Sequence, residues 1–213
     1  MLETADYKEV ANIWSTKFAP LLKRWGFVIK QIPYEGAEFV KSNGFRSQSW
    51  KIIWNRKRLT TLQIYLRCYC IPRNRKVVGI KVAHSEVEFR HSLYDTTRIY
   101  TYSFSERIEK EYSKEKLPEV AENLFRRYIG WLVIGAISGE LPSNLGATLH
   151  DHPQPNIWVS YSFRLYKRCW IWRVRWEDER GREDKAVLRG DLTENPFDAK
   201  KKLDCYLALA IYL

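Results

Sequence analysis

The stretch RLYKRCWIWRVRW, Arg164 to Trp176, sets the tightest limit on what this chain can become. From Trp170 onward it alternates with period two. Trp170, Trp172, Val174 and Trp176 share one parity, and Ile171, Arg173 and Arg175 share the other. Successive side chains of a strand point to opposite faces, so this pattern is a half-buried strand. Rings interleaved with guanidinium groups also suit a base-stacking platform for single-stranded nucleic acid. A platform needs rings and cations on one face, and here they are opposed. The tryptophans therefore belong to a core shared with Ile157, Val159, Tyr161 and Phe163 and lying under the last helix. Arg173 and Arg175, together with Arg164 and Arg189, form a basic outer face.

That strand sits in a predicted meander. Ile157, Val159, Tyr161, Phe163 and Leu165 share one parity, Lys167-Arg168 marks a turn, and Glu177 to Gly181 marks another before a third strand over Asp184 to Arg189. Thr193 or Asn195 caps a last helix with Pro196 in its first turn, and Leu203, Leu207 and Ile211 face the core. A second meander is expected between Phe27 and Phe104. There Trp50, Ile52 and Trp54, then Leu62, Ile64, Leu66, Cys68 and Cys70, then Val78, Ile80 and Val82 hold the inward parity, with Tyr100, Tyr102 and Phe104 as a further strand. An apolar stripe from Tyr7 to Trp25 predicts the first helix, kinked or restarted at Pro20 and stopped at Gly26. Another helix spans about Pro118 to Ile137. Its end is apolar all round, so it is expected at the centre, joining the halves. Glu106 to Glu119 reads as a solvated helical segment or linker, and Ser138 to Asn156 as a long irregular loop.

The fold class is thus α+β: two antiparallel β-meanders packed with three main helices around a shared core, with a loose internal duplication suggested by the element order. Residues 1–213 form a single domain, with a subdivision into 1–112 and 113–213 left open.

The net charge of +11 and a pI near 9.5 favour an anionic partner. Nucleic acid (DNA or RNA), an acidic protein surface and anionic lipid all qualify. Cys68, Cys70, Cys169 and Cys205 follow neither a zinc nor a secreted-disulfide spacing. The acidic N-terminus MLETADYKEV lacks a signal-peptide core, and YIGWLVIGAI is too short to span a bilayer. A cytoplasmic location without a membrane span is expected.

Candidate chemistry is sparse. His150-Asp151-His152, placed in the long loop, has metal-ligand character but lacks further spaced ligands. His84, Glu86 and Glu88 share a face of one apparent strand, a row suited to acid–base work if buried. Glu183-Asp184-Lys185 resembles the carboxylate-x-lysine element of metal-dependent nucleases, but the upstream aspartate is missing and Asp178 is expected in solvent on a turn. No phosphate-binding loop, dinucleotide glycine pattern or nucleophile elbow occurs.

Basic and aromatic surface features carry more weight. Tyr65, Arg67 and Tyr69 fall on the outward face of one strand, with Lys51 and Lys81 on its neighbours, as a single-strand-binding sheet presents rings and a cation. Arg56-Lys57-Arg58 makes a basic turn at one end, and Arg73 to Lys76 another. The reading that follows is a non-catalytic nucleic-acid-binding protein. Its contact residues are Arg56, Lys57, Arg58, Tyr65, Arg67, Tyr69, Arg164, Arg173, Arg175 and Arg189, with no cofactor. A protein-interaction module for an acidic partner is the alternative. A metal-dependent hydrolase or nuclease stands third.

Overall fold

Alternating runs joined by short turns pair antiparallel, because only antiparallel neighbours can be linked by a tight hairpin. Every sheet pairing among the described residues of the computed structural model is of that kind. The structure describes residues 4–32, 46–55, 61–73, 76–84, 87–91, 96–100, 104–107, 116–138, 148–154 and 156–212. The architecture is α+β, with three helical runs and antiparallel sheets. The chain divides into two units, Met1–Phe125 and Arg126–Leu213. Among the described residues no helix is long and apolar enough to cross a membrane.

The first unit opens with a single helical run in three pieces: α1 (Thr4–Ile13), a π-helical turn (Trp14–Phe18) and α2 (Ala19–Arg24). The expected bend at Pro20 takes the form of this π turn just upstream. Proline has no amide proton and its ring crowds the carbonyl four residues back. The backbone widens, and the Ala19 amide donates to the Trp14 carbonyl, five residues back. The hydroxyl of Thr16 donates to the Asn12 carbonyl at 2.6 Å, which gives a carbonyl beside the widened turn a partner. The run stops at Gly26 as its sequence demands. Gly26 sits at φ 97, its amide donates to Lys23 O and the Phe27 amide donates to Leu22 O, each at 3.0 Å. This is a Schellman motif, with Phe27 and Leu22 buried beside it.

Strands β1 (Val28–Ile32), β2 (Arg46–Asn55), β3 (Thr61–Arg73), β4 (Lys76–His84) and β7 (Phe104–Arg107) form a five-stranded sheet in the order β1-β2-β3-β4-β7. Strands β5 (Val87–His91) and β6 (Thr96–Tyr100) pair separately. The inward parity read from the sequence comes into register: Trp50 lies across from Leu66, Ile52 from Ile64, Cys68 from Val82 and Cys70 from Ile80. Trp14 packs its ring against Phe18, Trp50 and Phe125, with centroids 6.4, 6.0 and 5.1 Å away, giving this unit an aromatic core. Two expectations need correcting. Tyr100 and Phe104 belong to different strands in different sheets, and Glu106 and Arg107 lie in β7 rather than in a linker.

Helix α3 (Leu117–Ser138) contains the boundary between the units. In the second unit, β8 (Thr148–Gln154), β9 (Ile157–Leu165), β10 (Cys169–Asp178) and β11 (Glu183–Asp191) form a sheet in the order β11-β10-β9-β8. Part of the expected loop is therefore strand. TLHDHPQ carries no apolar alternation and includes Pro153, yet an edge strand tolerates both. Its register slips between Asp151 and Gln154, the interval that holds the proline. The duplication suggested by element order finds no support, since one sheet is a plain four-stranded meander and the other has five strands plus a separate pair.

The tryptophan parity of β10 is buried as expected: Trp170, Trp172 and Val174 are at most 1% exposed, while Trp176 is half-buried. Trp172 lies across from Phe163, with ring centroids 4.8 Å apart. Both buried indoles donate to the chain entering helix α4 (Pro196–Tyr212). Trp172 Nε1 reaches Pro196 O at 2.8 Å, and Trp170 Nε1 reaches Glu194 O at 3.1 Å. Of the two expected caps, Asn195 acts, its Oδ1 accepting from the Phe197 amide at 3.0 Å. Further along the helix, the Tyr161 hydroxyl donates to Asp204, and Lys200 donates to the same carboxylate while lying over the Tyr161 ring. The sheet thus presents one face to α4, with Leu203 and Leu207 buried between them. Gly130 of α3 comes so near β9 that a Cβ there would stand 3.2 Å from the Phe163 carbonyl.

Candidate nucleic-acid interface

The face of β9–β11 turned away from α4 is assembled by strand alternation and register. Outward positions are Trp158, Ser160, Ser162 and Arg164 on β9, Ile171, Arg173, Arg175 and Glu177 on β10, and Glu183, Lys185, Val187 and Arg189 on β11. Pairing sorts them into rows. Arg164, Ile171 and Arg189 form one row, Ser162, Arg173 and Val187 the next, and Ser160, Arg175 and Lys185 the third. These three consecutive rows hold five cations and no carboxylate. Strands lie about 4.8 Å apart and alternate residues about 6.6 Å apart, so the cations share a patch roughly 10 by 13 Å across.

All five side chains are exposed. Arg175 makes an ion pair with Glu183 in the adjoining row, where Trp158 and Glu177 also lie. Arg164, Arg173, Lys185 and Arg189 make no ion pair among the described residues. At the other end, Lys167 and Arg168 are exposed on the β9–β10 hairpin, closed by the Tyr166 amide donating to Cys169 O at 2.8 Å.

The β10–β11 hairpin fixes which cations stand side by side. Asp178 is its clasp and is half-buried, rather than loose in solvent as expected from the sequence. One carboxylate oxygen accepts from the amides of Arg180 and Arg182 at 3.0 and 2.9 Å, and the other accepts from Arg182 Nε at 2.6 Å. Desolvation opposes the charge, but the hydrogen bonds from Arg182 and Arg180 and the Arg182 guanidinium outweigh it. The carboxyl is held below its ordinary range. Gly181, at φ 72, supplies the left-handed residue of the turn.

The other candidates are distributed as follows. Tyr65, Arg67 and Tyr69 lie at alternate positions of β3, with Lys51 across from Tyr65 and Lys81 across from Tyr69. Their side chains lie outside the described residues, as do Arg56, Lys57 and Arg58 entirely. His150 and His152 sit on edge strand β8 rather than in a loop, and His150 extends the third row across from Ser160. Their side chains are likewise outside the described residues. The His84 to Glu88 row does not exist as one strand. His84 ends β4 in the five-stranded sheet and Glu88 lies on β5 in the separate pair, while Glu86 is outside the described residues. In Glu183-Asp184-Lys185, Glu183 is engaged by Arg175 and Asp184 has the opposite parity to Lys185. Among the described residues no three His, Cys, Asp or Glu side chains gather as a metal site.

Two outward residues are missing from the contact set read from the sequence, Lys185 in the patch and Trp158 in the adjoining row. Both were legible by parity: Trp158 is in phase with Arg164, and Lys185 is in phase with Arg189. No family model, curated protein or solved structure matches this chain.

Proposed function

We propose that this chain is a non-catalytic nucleic-acid-binding protein and that the outer face of β9–β11 is its phosphate-contacting surface. The observation that carries this reading is the run of three rows with five cations and no carboxylate. Like charges held side by side on a sheet oppose folding, and alternating signs would serve stability better. The Arg175–Glu183 pair at the edge of the patch shows how readily such compensation arises. The four cations that make no ion pair among the described residues, Arg164, Arg173, Lys185 and Arg189, are useful when a polyanion completes the patch. Arginine, the commonest cation here, offers a planar fork of donors that suits phosphate oxygens. The chain's overall charge of +11 would speed encounter with any polyanion.

Two further features accord with this reading. Arg56, Lys57, Arg58, Tyr65, Arg67 and Tyr69 would give the first unit a contact surface of its own, and the register of Lys51 and Lys81 beside the two tyrosines supports it. Cys169 and Cys205 are free thiols, which suits the cytoplasmic location we assign.

The test is fluorescence anisotropy with labelled single-stranded and duplex oligonucleotides across a salt series. With about five phosphates neutralised, log affinity falls against log salt with a slope of about −3.5 for a single strand or about −4.5 for a duplex. No binding at low salt, or a flat salt response, overturns the proposal. Co-elution of one stoichiometric acidic protein after nuclease treatment, with no oligonucleotide bound, would favour an interaction module instead.

A further inference from the structure

We infer that the outer face of β9–β11 takes single-stranded rather than duplex nucleic acid, with Trp158 as the residue on which a base stacks. This rests on the phosphate-contacting reading of the same face and adds the form of the ligand and a residue that selects it.

Trp158 stands at the outward parity of β9, and its side chain is 50% exposed in a chain whose Trp14, Trp25, Trp131, Trp170 and Trp172 are at most 1% exposed. Its row-mate is Glu177, and the diagonal neighbour is Arg175 at the edge of the cation patch. A base lying on the indole would therefore have its phosphates within reach of that guanidinium. Between Trp158 and Arg164 the outward positions of β9 are Ser160 and Ser162, whose small side chains leave a shallow floor on the strand. The distance from Trp158 to Arg164 is six residues of extended chain, about 20 Å.

Apolar groups are also set among the cations. Val187 is 59% exposed and stands between Lys185 and Arg189 on β11, and half-buried Ile171 separates Arg164 from Arg189. A duplex would meet this surface with sugars and phosphates alone. Its base faces are stacked inside, and a broad sheet does not enter the major groove as a helix or a two-stranded ribbon does. The exposed half of Trp158, with Val187 and Ile171, would then lie against charged backbone. A single strand can turn its base faces onto rings and aliphatic side chains while its phosphates lie among the arginines. The alternation of cation and apolar group on this face is the arrangement such a strand requires.

The experiment uses the full chain, an oligothymidylate and a duplex of the same length at one salt concentration. Wild type should bind the oligothymidylate more tightly than the duplex. Trp158→Ala should weaken oligothymidylate binding by about 5- to 150-fold, the range of one base–aromatic stack, and leave duplex binding within about twofold. Trp158→Phe should keep most of the affinity, since a ring remains. The quenching of tryptophan fluorescence by oligothymidylate should be smaller in Trp158→Phe than in wild type. Equal or tighter duplex binding, or oligothymidylate affinity unmoved by Trp158→Ala, overturns this inference and leaves the phosphate-contacting reading standing. Failure of both probes to bind wild type overturns the two together.

Discussion

Trp172 and Arg173 are adjacent in the chain and answer to different demands. On the inner face of the second sheet every group identified has a structural task. The Trp170 and Trp172 indoles are buried, and their N–H groups hold the entry to α4. On the outer face Arg164, Arg173, Lys185 and Arg189 make no ion pair among the described residues. Strand alternation thus separates the side chains that build the core from those we propose a ligand uses, at a spacing of one residue. The effect of a substitution here should follow its parity more closely than its place in sequence.

The comparison can be broken first at its inner side. Trp172→Ala should lower stability by about 3–5 kcal/mol, because it opens a large cavity and removes the donor to Pro196. Urea denaturation reads this directly, and a loss below about 1 kcal/mol would mean that the inner face is not the core. Gly190→Ala should come next, at about 1–3 kcal/mol. A Cβ at that position would land on the Trp170 ring across the ladder. Pairing it with Trp170→Leu should cost less than the two single changes added together, because the clash disappears with the ring.

The outer side predicts small effects on folding. Arg173→Ala should change stability by less than about 0.5 kcal/mol in urea denaturation. The hairpin clasp sharpens the comparison through pH. The Asp178 carboxyl titrates below its ordinary range in the folded chain, so its contribution is present above the unfolded pKa and is lost as pH falls through the folded value. Asp178→Asn should therefore be less stable than wild type at neutral pH, and the deficit should narrow as pH drops below the ordinary carboxylate range. A deficit that is constant with pH would show that charge plays no part in the clasp.

Much of this was legible from the chain alone, because it depends on short-range rules. Parity separated the tryptophans from Arg164, Arg173, Arg175 and Arg189. A glycine after an apolar stripe located the Schellman stop at Gly26, and Pro196 after Asn195 located the last helix. The parts that were not legible depend on partners remote in sequence. TLHDHPQ has no strand pattern of its own and becomes β8 because β9 offers it an edge. His84 and Glu88 look like one strand until β7 and β6 claim them separately. The need for glycine at 190 exists only because Trp170 lies across the ladder. Asp178 could be placed on a turn, but its bonds to Arg180 and Arg182 require the closed hairpin. Trp158 has the outward parity, but its neighbour Ile157 opens the inward series and draws the strand's pattern to the other face.

The most direct test of the division between the faces is one variant measured in two ways. The triple change Arg164→Ala, Arg173→Ala and Arg189→Ala removes cations from two of the three rows and leaves the inner face untouched. Its midpoint of urea unfolding should be no lower than that of wild type, while the slope of log affinity against log salt for oligothymidylate should become shallower by about 2, three phosphate contacts at about 0.7 each. An unchanged slope, or a weakened affinity accompanied by an equally weakened fold, would contradict the assignment of the outer face to binding.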